Sequence, residues 1–237
     1  MPENAARAAA SIAGDLSALG FSVDFAPVAD VHIPGSGSVI GDRSYGSSPE
    51  LVARMTTAFS RSLEEGGVMS VAKHFPGHGA ASGDSHDGRT VLNAEPELIA
   101  RRELRPFEEA VKINIGGIML GHITVPSLDA KETPATLSKA VATDLLRGRL
   151  GYKGLIFTDS LRMRAVTAYY RADALPLLAF EAGADILLMP VSPVRSRDLL
   201  VEAYLSGRIE GERLASSLKR IEEAKRRYAV SGAPRIA

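Results

Sequence analysis

The chain has 237 residues, enough for one large domain or two small ones, and its 28 basic and 28 acidic side chains leave no net formal charge. This balance excludes the strongly basic surface expected of a nucleic-acid-binding protein or of a protein held at a membrane by its charge. The absence of cysteine excludes disulfides, thiolate catalysis and cysteine-ligated zinc. No apolar run approaches the roughly 20 residues of a membrane span, and the first residues lack the pattern of a signal peptide. We therefore expect a cytoplasmic location, unless an export signal precedes Met1.

Short apolar runs alternate with longer segments of helical periodicity, a pattern typical of βα units around a parallel sheet. The predicted strands are 21–31, 68–75, 117–123, 155–159 and 184–189. The last four are almost continuously apolar, as expected of strands that are covered on both faces. The predicted helices are 3–19, 49–65, 95–113, 138–149 and 209–228.

The number of strands leaves two architectures open. A closed (β/α)8 barrel needs eight strands, whereas the sequence predicts about five units, so the sheet is either open and doubly wound or part of a barrel. Residues 3–19 form a predicted helix with no strand before it, which favours the second architecture. No linker or low-complexity segment divides the chain, so we expect a single domain over residues 1–237.

Polar side chains capable of chemistry cluster at the carboxyl ends of the predicted strands. They are Asp30, Lys73, His74, His122 and Asp159. In parallel α/β folds the strand ends and the loops that follow them converge at this face, and active sites are built there.

The densest group of such residues lies in KHFPGHGAASGDSHDG, residues 73–88. Four interpretations are open: a solvated flexible turn, a phosphate cradle, a metal site assembled from loops, and an acid–base pair. The phosphate-binding spacing fails because no Gly-Lys-Ser/Thr follows, and the glycine and proline between His74 and His78 exclude a helical metal motif. For the acid–base pair, the carboxylate of Asp84 would orient the imidazole of His86, which would titrate near neutrality and exchange protons with a substrate.

Three further residues each allow a structural and a functional interpretation. Asp159 follows an apolar strand and precedes a helical stretch, so it is either a helix N-cap or a nucleophile. His122 is either a core histidine or part of a pocket wall. Arg43 is either a solvated loop residue or a guanidinium that grips a polar substrate.

The sequence resembles a known family over nearly its whole length. VAKHFPGHG, followed by four residues and then DSH, resembles the signature of glycoside hydrolase family 3 in its β-N-acetylglucosaminidase branch. FAPVADV, VIGDRSYG, RRELRPFEEAV, TPATLS, GYKGLIFTDSLRM and EAGADILLMP match that branch in the same order. The resemblance runs from about residue 5 to about residue 227.

The resemblance implies an α/β fold of the TIM-type (β/α)8 barrel and a retaining, two-step glycoside hydrolysis. Asp159 would be the nucleophile, His86 the acid/base and Asp84 its partner. This departs from the usual pair of carboxyl groups, although a histidine needs little desolvation to titrate near neutral pH. Neither a metal ion nor an organic cofactor is expected.

The resemblance also implies the substrate and the residues that bind it. Arg43, Lys73 and His74 would hydrogen-bond the sugar hydroxyls, and His122 would line the pocket. The expected reaction releases terminal β-linked N-acetylglucosamine, with peptidoglycan fragments as the expected source and a small carbohydrate as the expected partner. Alternatives left open are a phosphorylase, an inactive sugar-binding fragment and a metal-dependent hydrolase.

Two parts of the sequence depart from the family pattern. Nothing matches the Asp-Gln-Glu-Gly-Gly-like stretch that follows an early strand in family members, so the predicted units correspond to the last five of eight. A barrel without its first three units would expose two sheet edges, and we expect this chain alone to be poorly stable or inactive. HDGRTV follows the predicted dyad where the family more often has an apolar Leu-Pro-like stretch.

Overall fold

A parallel sheet flanked by helices forms the framework of the computed structural model, which describes residues 1–82 and 88–228. The strands are β1 (Val23–Asp24), β2 (Met69–Phe75), β3 (Thr90–Val91), β4 (Gly117–Leu120), β5 (Ile123–Thr124) and β6 (Leu155–Thr158). The α-helices are α1 (Pro2–Ala18), α2 (Pro49–Glu65), α3 (Pro96–Arg101), α4 (Arg105–Lys112), α5 (Arg164–Thr167), α6 (Leu175–Ala182), α7 (Pro193–Leu205) and α8 (Gly211–Arg227). A π-helix covers Ala140–Arg149, and 3₁₀-helices cover Gly41–Arg43 and Ala135–Leu137.

The main sheet has the strand order β1-β2-β4-β6, and all its pairings are parallel. A single parallel bridge between Phe157 and Ile186 continues it beyond β6. The predicted strand 184–189 therefore contributes one bridge rather than a full ladder. Strands β3 and β5 form a separate parallel pair. The predicted α/β class with a parallel sheet is confirmed.

Helix α2 has the bounds that the sequence predicts, because its capping residues and its apolar face agree. The hydroxyl of Ser48 accepts a hydrogen bond from the backbone N–H of Leu51 at 3.3 Å, and a proline occupies the first helical position. Phe59 and Leu63 on the buried face pack against the alanines of α1. Small side chains on α1 let the two helices approach closely.

Two predicted elements are each divided in the structure. The predicted helix 95–113 consists of α3 and α4, because Pro106 has no N–H to donate and its ring would clash with the carbonyl four residues earlier. The predicted strand 117–123 consists of β4 and β5. The chain bends between them at His122, next to Gly121, where a β-carbon would lie 2.7 Å from the side chain of Ile123 and 3.1 Å from that of His74.

The largest apolar core lies between the sheet and the helices that cover it. Phe75 of β2 and Phe107 of α4 are fully buried there and pack edge to face, with ring centroids 5.2 Å apart. In residues 1–82 and 88–228, no helix is long and apolar enough to cross a membrane.

Candidate active site

The strand ends meet at a cavity of about 430 Å³. Its polar side is lined by Arg43, Lys73, His74, His78, Asp159 and Ser160. Its apolar side is lined by Phe25, Val39, Ile40, Met119, Met163, Leu188 and Met189. The structure thus brings together four of the residues that the sequence singled out: Arg43, Lys73, His74 and Asp159.

Asp159 stands directly after β6 and is half-buried. Its backbone N–H donates to the carbonyl of Leu120 at 3.0 Å, and its carboxylate accepts from the backbone N–H of Ser160 at 2.7 Å. The next helix, α5, begins at Arg164 after Met163, so Asp159 is not the residue that caps it. The structure therefore does not support the interpretation of Asp159 as a helix N-cap.

Lys73 lies near the end of β2 in the field of several charged groups. Burial and the charge of Arg43 lower the pKa of its ammonium, while the carboxylates of Asp159, Asp24 and Asp30 act in the opposite direction. The net shift of this pKa is downward. Lys73 therefore places a poorly solvated cation and three hydrogen-bond donors beside the nucleophile candidate.

Asp30 is fully buried beside the cavity and connects two of its histidines. Its Oδ1 accepts from the backbone N–H groups of His74 at 3.1 Å and His78 at 2.7 Å, and its Oδ2 lies 2.7 Å from Nδ1 of His74. Burial opposes ionisation, but the charge and hydrogen bonds of His74 and the charge of His78 outweigh it and lower the pKa of the carboxyl. The sequence placed Asp30 at a strand end without giving it a role.

His78 follows the Pro76–Gly77 turn and lines the cavity with a buried ring. Burial lowers the pKa of its imidazole, the charge of His74 lowers it further, and the charge of Asp30 opposes both. The rings of His74 and His78 pack edge to face with centroids 5.8 Å apart. Within the described ranges, no three histidine, aspartate or glutamate side chains form a group that could hold a metal ion.

His122 is buried, and both of its ring nitrogens have partners. Nε2 lies 2.8 Å from the carbonyl oxygen of Ser160, which can only accept, so Nε2 carries a proton. Burial lowers the pKa of the ring, which favours its neutral form. Nδ1 lies 2.8 Å from the hydroxyl of Thr136, and that hydroxyl also lies 2.9 Å from the carbonyl oxygen of Gly121. His122 is not among the described residues that line the cavity, and these contacts fit the core-histidine interpretation.

Arg43 ends the 3₁₀-helix Gly41–Arg43 and is exposed at the edge of the cavity. The next residue, Ser44, donates its hydroxyl to the carbonyl of Asp30 at 2.6 Å. The loop that carries Arg43 is therefore attached to the residue that holds His74.

The predicted acid–base pair, Asp84 and His86, lies outside the described residues, and its role stays a prediction. The described chain on either side is paired: Ser82 and Val91 exchange backbone hydrogen bonds of 2.9 and 3.1 Å.

The apolar side of the cavity was not predicted from the sequence. It includes three methionines, Met119, Met163 and Met189. Met189 is 58% exposed and has φ of 47°, a left-handed conformation that is uncommon for a residue with a side chain. The sequence signals that could have found these residues are the methionines of DSLRM and ADILLMP, since both segments follow strand ends.

Comparison with known proteins gives a consistent result. The family model described as glycosyl hydrolase family 3 N terminal domain matches residues 1–224. Beta-hexosaminidase A of Pseudoalteromonas piscicida is 34% identical over 97% of this chain and 42% of its own length. The structure of a glycoside hydrolase family 3 beta-N-acetylglucosaminidase from Paenibacillus sp. str. FPU-7 superposes with a TM-score of 0.94 and 39% identity, covering 100% of this chain and 46% of that one.

A third similar protein has a different named activity. The structure of the beta-glucoside phosphorylase BglX superposes with a TM-score of 0.90 and 27% identity, over 96% of this chain and 42% of that one. The chain thus spans less than half the length of each of these three proteins. The family match covers nearly all of the chain, and the cavity residues lie within it. The chain belongs to glycosyl hydrolase family 3.

Proposed function

We propose that this chain carries the catalytic site of a retaining β-N-acetylhexosaminidase that releases terminal β-linked N-acetylglucosamine. The observation that carries this proposal is one cavity in which the Asp159 carboxylate is grouped with Lys73, His74 and Arg43. A carboxylate among hydrogen-bond donors suits attack on a sugar held by its hydroxyls. The similarity to beta-hexosaminidase A and to the Paenibacillus beta-N-acetylglucosaminidase supports the substrate class.

In the proposed first step, an oxygen of Asp159 attacks the anomeric carbon and the bond to the leaving oxygen breaks. His86, oriented by Asp84, donates its proton to that oxygen, and a glycosyl–aspartate ester remains. In the second step, His86 takes a proton from water, the water oxygen displaces Asp159, and the β-configuration is restored. The roles of Asp84 and His86 rest on the sequence.

The other polar residues of the cavity position the sugar. Lys73 and Arg43 can only donate hydrogen bonds, so they bind hydroxyl or carbonyl oxygens of the substrate. Their charges also offset the loss of solvent around Asp159 when the sugar enters the cavity. Peptidoglycan fragments that end in N-acetylglucosamine are the proposed natural substrates.

We also infer that the parallel sheet is part of a (β/α)8 barrel. The order β1-β2-β4-β6, continued by the bridge at Ile186, gives five consecutive positions of such a barrel. Most side chains that line the cavity lie at the carboxyl ends of these strands or in the loops that follow them, where barrel enzymes place their active sites.

The direct test is hydrolysis of a chromogenic N-acetyl-β-glucosaminide. Asp159→Ala should lower kcat by roughly 10⁴-fold or more, as removal of a catalytic nucleophile does. The matched control is Asp144→Ala, which removes an exposed carboxylate from the π-helix and should leave kcat unchanged. A 5-fluoro glycosyl fluoride of N-acetylglucosamine should label the peptide that contains Asp159. A label on another residue would contradict the assignment.

A phosphorylase is the second candidate, supported by the similarity to the beta-glucoside phosphorylase BglX. Phosphate would replace water in the second step and displace Asp159 from the glycosyl ester. An acid/base histidine leaves the site less negative than a glutamate would, which favours entry of an anion. Product analysis with and without inorganic phosphate distinguishes the two candidates, because only the phosphorylase forms N-acetylglucosamine 1-phosphate. Sugar binding without either product would indicate the inactive fragment.

A further inference from the structure

The carboxylate of Asp30 is fully buried and accepts three hydrogen bonds from the neighbouring segment, residues 74–78. Two come from backbone N–H groups, those of His74 and His78, and both end on Oδ1. The third comes from the ring of His74 and ends on Oδ2 at 2.7 Å. The sheet places the residues together, because Val28 and Lys73 form a parallel bridge just before them.

The tautomer of the neutral His74 ring follows from this contact. Burial raises the pKa of Asp30, but the charge and hydrogen bonds of His74 and the charge of His78 outweigh it, so the carboxyl is held ionised and can only accept hydrogen bonds. Nδ1 of His74 therefore carries a hydrogen. In the neutral ring the lone pair is then on Nε2.

We propose that Asp30 is a positioning residue that holds His74 as the Nδ1–H tautomer, so that Nε2 accepts a hydrogen bond from a hydroxyl of the sugar. The hydroxyl contact rests on the proposed function, whereas the tautomer does not. His74 lines the cavity beside Lys73 and Arg43, whose side chains have donors and no acceptor. A sugar hydroxyl both donates and accepts, so one that accepts from Lys73 needs an acceptor such as Nε2 for its own hydrogen.

The Asp30→Asn variant distinguishes control of the His74 tautomer from the hydrogen bonds that Asp30 makes to the backbone of residues 74–78. The amide oxygen of asparagine still accepts the two backbone N–H groups that Oδ1 accepts in the wild type. The amide nitrogen replaces Oδ2 and can only donate, so it selects a ring whose Nδ1 carries the lone pair. The variant should therefore invert the tautomer of His74 and turn Nε2 from an acceptor into a donor.

The first test is independent of activity. In ¹⁵N-labelled wild-type protein at slightly alkaline pH, the ring nitrogens of His74 should show a protonated Nδ1 and an unprotonated Nε2. His74→Gln identifies these signals by removing them. Asp30→Asn should exchange the two chemical shifts. A wild-type spectrum with the proton on Nε2 overturns the proposal, whether or not the chain hydrolyses glycosides.

The second test is a double-mutant cycle on kcat/KM for the chromogenic N-acetyl-β-glucosaminide. Asp30→Asn should lower kcat/KM roughly 10–100-fold, the usual effect of losing a hydrogen bond to a partly charged site. His74→Ala should cause a similar loss, and Asp30→Asn should add little to it, because Asp30 acts through His74. An undiminished further loss in the His74→Ala background would overturn the proposal in favour of a purely structural role.

Deoxy substrates identify the hydroxyl and keep the test valid if Asp30→Asn does not fold. Among the 3-, 4- and 6-deoxy analogues, one should lose much of its kcat/KM with the wild type and little with His74→Ala. If all analogues lose the same factor with both proteins, no hydroxyl donates to His74 and the proposal fails. If the wild type turns over no glycoside, the proposed function fails, and the ¹⁵N spectrum still decides the role of Asp30 toward His74.

Discussion

Asp159 and Leu120 stand on adjacent strands, and the backbone N–H of the first donates to the carbonyl of the second at 3.0 Å. This bond completes the last pair of the β4–β6 ladder, Leu120 with Thr158. The candidate nucleophile is thus held by the sheet rather than by a flexible loop. A reacting group on a rigid element loses little conformational freedom when the substrate binds.

The prediction for His86 concerns the leaving group. His86→Ala should lower kcat strongly for a substrate with a poor leaving group and only weakly for a dinitrophenyl glycoside, whose leaving oxygen needs no proton. Asp159→Ala serves as the control, because loss of the proposed nucleophile should affect both substrates. Equal losses for both substrates with His86→Ala would show that His86 is not the acid.

Thr136→Val tests the hydrogen bonds that support the segment beside Asp159. The substitution keeps the shape of the side chain but removes the hydroxyl that contacts Nδ1 of His122 and the carbonyl oxygen of Gly121, so it should lower the free energy of unfolding by about 1–3 kcal/mol. Thermal or denaturant unfolding measures the change. Thr56→Val is the matched control, because the buried hydroxyl of Thr56 has no hydrogen-bond partner among the described residues. Equal losses for the two variants would contradict the proposed contact.

The lowered pKa of His122 predicts how stability depends on pH. The unfolded chain binds a proton at this imidazole near pH 6.5 and the folded protein only at lower pH, so acidification through that range favours unfolding. The loss begins near the unfolded pKa and levels off below the folded one. His122→Gln removes this titration. Between about pH 7.5 and pH 5, the Tm of the wild type should fall on the order of 2–4 °C more than that of the variant. Parallel curves would contradict a neutral buried His122.

Gly79→Ala should disturb the chain beside the cavity. A β-carbon at this position would lie 1.8 Å from the carbonyl oxygen of Val31, so the backbone next to Asp30 has to move. We expect the free energy of unfolding to fall by roughly 1–3 kcal/mol, together with a loss of activity. Gly14→Ala in α1 is the control, because its β-carbon meets no atom within 4 Å and alanine favours a helix by about 1 kcal/mol. An unchanged unfolding midpoint for Gly79→Ala would show that the contact relaxes at no cost.

The sequence predicted those parts of the fold in which local signals agree. Helix α2 has a serine cap, a proline at its first position and one apolar face, and its bounds were predicted correctly. Helix α7 was not predicted, because apolar residues such as Val194, Val201 and Leu205 lie on its exposed surface and obscure the periodicity. The spacing of apolar residues predicts which side of a helix is buried only when one face of the helix is apolar and the other is polar.

The residues of the candidate site, like the helices, were predicted only where the local sequence carried a signal. Asp159 was found because it follows an apolar strand and Lys73 because it lies near the end of one, and parallel strands bring their carboxyl ends together. The contacts of Asp30 with His74 were not predicted, because the two residues are 44 positions apart and their hydrogen bonds depend on the alignment of neighbouring segments. The left-handed backbone of Met189 likewise has no local signal in the sequence.

The contact of His122 with Ser160 has a consequence for redesign of this protein. Thr136, His122 and Ser160 form a series of hydrogen-bonded residues that lies behind Asp159. His122 contacts the hydroxyl of Thr136 and the carbonyl oxygen of Ser160, both at 2.8 Å. Libraries that aim at new leaving groups should therefore keep this series constant and diversify Met163 and Met189 instead. A transplant of the segment around Asp159 into another scaffold would have to carry residues 121–138 with it.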